Sequence, residues 1–280
     1  MIMICFAANS VITRYLVLVS RVSPFLVTLI RFVSGLLVLL ALAGVSPTNF
    51  RPSRMRSTNF LGGLFLGVYA FSISYGYLFI PVAAGTLVFY TAVVMTMVAY
   101  SVINDKERVT FRLCFGLLLG LLGVIAITFG KISAVTLPGV VLMIATGASW
   151  GLYSVYGRRF NVAFGYTFNS FLILGIFAVF AGLALWYSGA ILISLSLPDL
   201  GLALYMGMIS TALSYVVWNR TMKQIPAYLG GLVQVTVPVL ASIMGIIFLR
   251  EVITASLVFG GALVLSGICL VQFKRYPTTK

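Results

Sequence analysis

Apolar runs of about twenty residues, the length of a helix across a bilayer, recur along the whole chain between short polar connections. Ten such runs cover 2–19, 24–43, 60–79, 84–103, 113–129, 138–156, 163–187, 200–218, 228–249 and 255–273. At 1.5 Å of rise per residue, each matches a hydrocarbon core of roughly 30 Å. The pattern predicts an all-α polytopic membrane protein with ten transmembrane helices. Pro24, Pro138, Pro198 and Pro226 fall at or just before run starts, where proline suits a first helical turn. The connections are short, so neighbouring helices are expected to be antiparallel.

One run departs from the pattern. Residues 228–249 carry Gln234, Thr236 and Pro238 near their middle. In a bilayer, each polar group must find a partner inside the protein. Pro238 has no N–H, so in a helix it leaves the Gln234 carbonyl without its usual bond. An amide side chain and a freed carbonyl then lie at one level, open to another helix, to water in a cavity or to a substrate.

Composition agrees with the runs. Of 280 residues, 61% are hydrophobic and 8% charged, with a mean hydropathy of +1.15; a soluble domain carries far more charge. The net charge of +14 does not indicate nucleic-acid binding, because no soluble basic domain is present to hold it. Thirteen of the 18 basic residues fall on one set of alternate connections, against Arg21, Lys131 and Arg250 on the other; Arg14 and Arg31 lie within runs. The positive-inside rule then places both termini in the cytoplasm of an inner-membrane, multi-pass protein. There is no histidine, and Cys5, Cys114 and Cys269 are far apart in apolar runs; neither a metal site, a disulfide framework nor a cofactor is expected. The opening MIMICFAANS has no positive leader, which argues against a cleaved signal peptide.

The chain also repeats. A shift of 144 brings Ser10-Val11 onto Ser154-Val155, Arg14 onto Arg158, Glu107 onto Glu251, Thr110 onto Thr254, Gly116 onto Gly260 and Gly123 onto Gly267. The third and eighth runs align at 140, with Gly67 on Gly207 and Ser74-Tyr75 on Ser214-Tyr215. Five runs per half is an odd number, so the halves, 1–131 and 136–274, are expected to cross the membrane in opposite senses. Such inverted five-helix repeats are common in secondary transporters, which bind substrate near the midplane between them.

Several stretches resemble the drug/metabolite transporter superfamily, in particular its ten-helix members built from two EamA domains. They are ANSVITRY, SPFLVTLIRF with Arg31-Phe32, NDKERVT and its counterpart LREVIT, the glycine-rich FGLLLGLLGV and FGGALVLSGI, and ASWGLYSVYGRR at the second half. The family's usual Gly-Glu at the end of the fourth and ninth helices stands here as Lys106-Glu107 and Arg250-Glu251. The resemblance implies export of amino acids, other metabolites or drugs, and is nearest to the bacterial aromatic amino acid exporters.

Polar positions that correspond in the two halves should face each other across the pseudo-twofold axis. Three pairs result: Asn9 with Tyr153, Tyr75 with Tyr215, and Tyr90 with Gln234. Trp150 and Trp218 lie three residues from Tyr153 and Tyr215 on the same helix faces. Together they describe a substrate-binding cavity of aromatic faces and a few hydrogen-bonding tips. Against this, Tyr and Trp also concentrate at membrane interfaces, and Trp218, beside Asn219-Arg220, can be a belt residue.

Asp105, Glu107, Asp199 and Glu251 all lie at run ends or in connections. The absence of a midplane acid argues against proton-coupled export of cations and favours neutral or zwitterionic solutes. Glu107 and Glu251 read as caps paired with adjacent basic residues, and Arg14 and Arg158 as snorkelling side chains. Arg31 admits two roles, a carboxylate clamp or, favoured by its family pattern, a tie between helices. Gly116, Gly120, Gly123, Gly260 and Gly267 mark close helix packing, within a monomer or at a weak homodimer face. No general acid or base is placed inside the runs, so the chain is not read as an enzyme. The expected function is export of aromatic or large neutral amino acids and related metabolites by alternating access. Uniport is plausible. A drug, nucleobase or other metabolite exporter of the same superfamily, or a channel-like facilitator, remains open. The expected partners are the small-molecule substrate and the lipid bilayer.

Overall fold

The computed structural model describes residues 1–45, 57–104, 106, 110–129, 135–160, 162–189, 195–225, 227–234 and 236–272. Expectations resting on Asp105, Glu107, Arg51, Arg54, Arg56, Arg108, Lys131, Pro226 and the basic C-terminus lie outside them. The described chain is helical, with no β-strand among the described residues. Its ten spans are α1 Ile2–Val19, α2 Pro24–Val45, α3 Ser57–Gly76, α4 Val82–Asn104, α5 Phe111–Phe129, α6 Leu137–Gly157, α7 Ala163–Tyr187, α8 Leu197–Met222, a ninth whose described parts are α9a Ala227–Gln234 and α9b Thr236–Leu249, and α10 Ala255–Gln272. By length and composition α1, α2, α4, α6, α7 and α8 can each cross a bilayer, and α3, α5, α9b and α10 contain shorter apolar helices. The protein is a polytopic all-α membrane protein.

The starts follow local chemistry. Thr136 accepts a bond from the Gly139 amide at 3.4 Å, with Pro138 in the first turn. Ser196 accepts one from Asp199 at 3.3 Å, with Pro198 likewise placed. Hydroxyl caps satisfy amides that have no helical partner. The span expected at 200–218 runs on to Met222 because Asn219, polar in sequence, is buried and bonded inside the bundle. The run expected at 228–249 is helical on both sides of residue 235, which lies outside the described residues, and Pro238 lies in α9b. The side chains of Gln234 and Thr236 donate to the carbonyls of Gly230 (3.0 Å) and Val233 (2.9 Å).

Packing pairs follow the repeat. Helix α4 lies on α6, as α9b lies on α1; α2 lies on α8, as α3 lies on α7; α5 pairs with α10. Exchanging spans one to five for six to ten turns each pairing into another that is present, as an inverted repeat requires. The Lys106 and Arg250 backbones both have positive φ, 53° each. These are the two positions where the family carries glycine, and this left-handed geometry is the one glycine adopts without strain.

The α5–α10 pairing settles the glycine stripe within one chain. A β-carbon on Gly123 would stand 2.6 Å from the Gly260 carbonyl oxygen, and one on Gly267 would meet the Gly116 carbonyl. Two helices of opposite halves thus touch backbone to backbone. Gly123→Val is expected to lower the thermal midpoint in detergent, by an overpacking cost of about 1–3 kcal/mol; an unchanged midpoint would contradict this close approach.

Candidate substrate site

The centre of the bundle is aromatic. Phe6 of α1, Tyr69 of α3, Trp150 and Tyr153 of α6, and Tyr215 and Trp218 of α8 are all buried. The Trp150 ring lies 4.7 Å from Tyr215, 5.2 Å from Tyr69, 5.4 Å from Phe6, 5.6 Å from Tyr153 and 6.3 Å from Trp218, centroid to centroid. The expected cavity of aromatic faces is therefore shut. The rings bury one another, as apolar surfaces brought together do.

The polar tips are specifically paired. The Trp150 indole N–H donates to Gln234 Oε1 at 2.8 Å. Trp218 donates to the Ser154 hydroxyl at 3.0 Å, so it is a core residue and not a belt residue. Asn219 donates to the Tyr153 hydroxyl (3.0 Å) and to Thr167 (2.8 Å). Buried polar groups in such a setting need partners, and here most have them.

Helix α8 shapes this centre by leaving α-helical geometry. Its segment Met206–Leu213 is a π-helix. Such stretches present backbone groups that a regular helix would hide, often at functional sites. Asn9 of α1 donates to the Ser210 carbonyl at 3.0 Å, and the Ser210 hydroxyl donates to the Cys5 carbonyl at 2.6 Å. Next to it, Thr211 accepts from Arg31 Nε at 2.8 Å. Helices α2 and α8 cross closely here: a β-carbon on Gly35 would lie 3.0 Å from the Gly207 carbonyl. Arg31 is 1% exposed. Its Nη2 donates to the hydroxyls of Tyr69 (3.1 Å) and Tyr215 (3.0 Å).

Of the eight residues expected at the site, Trp150, Tyr153, Tyr215, Trp218 and Gln234 are brought together. Asn9 is buried beside them but bonds Ser210; among the described residues it makes no bond to Tyr153. Tyr90 is buried one ring away, against Phe89 at 4.3 Å, which in turn lies 6.1 Å from Tyr69. Tyr75 is 41% exposed and makes no ring contact with the cluster among the described residues; Tyr69 takes the place facing Tyr215. Sequence reasoning missed Phe6, Tyr69, Ser154, Thr211 and Asn219.

At one end of the bundle Arg14 does not snorkel. It is buried, donates to the Tyr77 carbonyl and lies 3.6 Å from Glu251 Oε1. Glu251 does not pair with an adjacent base but caps α4 of the other half, accepting from Val82 (2.9 Å) and Ala83 (3.4 Å).

A ten-span bundle of two interleaved halves, meeting at a buried aromatic and polar centre, defines a membrane transporter. The EamA-like transporter family matches residues 1–129 and 137–273, and the chain belongs to that family. An uncharacterized protein of Pseudomonas aeruginosa is 31% identical over 98% of this chain and 92% of its own length. The threonine/homoserine exporter RhtA of Escherichia coli is 28% identical over 81% of this chain and 75% of its own. A solved crystal structure, 23% identical, matches 95% of this chain and 94% of its own with a TM-score of 0.64, which shows a shared fold.

Proposed function

We propose that the protein exports amino acids, aromatic or large neutral ones first, across the inner membrane by alternating access, without chemical change to the solute. Both termini face the cytoplasm. The moving units are the halves 1–131 and 136–274, and the site comprises Asn9, Tyr75, Tyr90, Trp150, Tyr153, Tyr215, Trp218 and Gln234. The carrying observation is the buried ring cluster, whose polar tips include the Trp150–Gln234 bond. It offers flat apolar faces to a ring or large side chain and hydrogen-bonding groups to a polar end. Similarity to an exporter named for threonine and homoserine supports amino acids as the class. The bonds from Asn9 and Arg31 to α8 join the halves, so opening the centre means exchanging them.

A substrate panel on purified protein in proteoliposomes tests this, with and without a pH gradient. The expected result is saturable counterflow of large neutral amino acids that is indifferent to the pH gradient. Linear, non-saturating flux would mean a channel, and counterflow confined to nucleobases or cationic drugs would mean another branch of the family.

A further inference from the structure

Two arginines are buried within the described spans, and they differ in one respect. Arg14 has a protein carboxylate, Glu251, beside it. Arg31 has none. Its partners Thr211, Tyr69 and Tyr215 are all neutral, and the ring faces of Phe32 and Tyr69 lie 5.2 and 5.4 Å from its guanidinium carbon. Its Nη1 is buried and has no hydrogen-bond partner among the described residues. The two described acids are engaged elsewhere: Glu251 as above, and Asp199 with the hydroxyls of Ser20 (2.7 Å) and Ser196 (2.6 Å). A guanidinium stays charged in proteins. A charge held inside a membrane protein without a counter-ion marks a functional position.

The repeat strengthens the point. Were Arg31 a tie that the fold itself requires, the corresponding span of the second half should carry one. Helix α7, Ala163–Tyr187, contains no charged residue at all. The charge belongs to one half only, as substrate recognition allows and architecture does not demand.

From these observations we infer that Arg31 is the anchor for the carboxylate of the transported solute, with Nη1 as the donor left for it. This rests on the export reading above and narrows its substrate class to carboxylates with an apolar body. The placement fits. Arg31 is seven residues past Pro24, about 10 Å along the helix axis. Its partners Tyr69 and Tyr215 both touch Trp150, at 5.2 and 4.7 Å. A carboxylate on the guanidinium would direct the rest of the molecule toward the ring cluster. Arginine suits this task because its planar fork matches a carboxylate with parallel bonds.

The test is competition against labelled L-phenylalanine counterflow in proteoliposomes, paralleled by thermal stabilisation of the detergent-solubilised protein. The competitors are L-phenylalanine, 3-phenylpropionate, L-phenylalaninamide and phenethylamine. The first two, which carry a carboxylate, are expected to compete and stabilise at least tenfold more strongly than the last two. Arg31→Gln is expected to reduce phenylalanine transport at least tenfold and to abolish the preference for acid over amide, with Arg31→Lys intermediate. Equal potency of acid and amide on the wild type, or a preserved preference in Arg31→Gln, would overturn the assignment. Should Arg31→Gln not fold, the wild-type competitor ratio decides alone. Amino acid transport blind to the carboxylate sinks this inference and spares the export reading. Recognition of 3-phenylpropionate without any amino acid does the reverse, and recognition of phenethylamine alone removes both.

Discussion

Glu251→Ala is expected to cost about 3 kcal/mol of stability, the loss seen when one partner of a buried ion pair is removed and the other is left uncompensated. Arg14 would keep its carbonyl bond to Tyr77 but lose its only described anionic neighbour. The first amides of α4 would lose their acceptor as well, and an anion at a helix N-terminus is favourable on its own. In the proposed orientation this cluster lies at the outer ends of α1, α4 and α9b. Glu251→Gln keeps an acceptor for Val82 but not the charge, and should lose roughly half as much. The decisive measurement is a double-mutant cycle of Arg14→Ala and Glu251→Ala in thermal unfolding. A coupling of 0.5–3 kcal/mol is expected for contacting residues; strictly additive losses would show that the Arg14–Glu251 contact carries no interaction energy.

The Trp150–Gln234 bond should show a different signature, one of unpaired groups. Trp150→Phe leaves Gln234 Oε1 buried without its donor, and Gln234→Leu leaves the indole N–H without its acceptor; both residues are at most 2% exposed. Each single change is expected to cost about 1–3 kcal/mol, while the double change, which removes both polar groups, should recover much of that. Transport should not recover. The rings would remain but the polar tip would be gone, and counterflow is expected to fall about tenfold in all three variants, or about 1.4 kcal/mol in transition-state terms. Wild-type counterflow in folded Gln234→Leu and Trp150→Phe protein would remove both residues from the solute's path.

The spans were legible because hydropathy and helical rise are one-dimensional quantities. The site was legible only in part, because sequence gives the level of a side chain in the membrane but not its direction around the helix axis. Tyr75 and Tyr69 show the difference. Aligning Ser74-Tyr75 with Ser214-Tyr215 matches identities, but Tyr215 follows the π-helical Met206–Leu213 while α3 is regular. A π-turn inserts residues and rotates everything beyond it, so equal positions in the repeat point in unequal directions. Arg14 escaped for another reason. Read locally it is a basic residue near a membrane edge, and its partner Glu251 is on the far side of the repeat boundary. Phe6 and Tyr69 lie in apolar stripes that give no hint of which helix they face.

The two halves differ in a way that has a kinetic consequence. Span α8 holds the π-helix Met206–Leu213, whereas its counterpart α3 is α-helical over Ser57–Gly76. Were the halves mechanically identical, inward- and outward-open forms would be related by a twofold rotation and equal in free energy, and the carrier would show the same KM from either side. With the π-helix in one of these two spans only, the two forms need not be equally populated, and the solute's apparent affinity scales with the fraction of carriers competent to receive it. A uniporter obeying detailed balance must then compensate in its maximal rates, so that flux still vanishes at equal concentrations. Sidedness of KM, matched by an equal sidedness of Vmax, is the form this asymmetry would take.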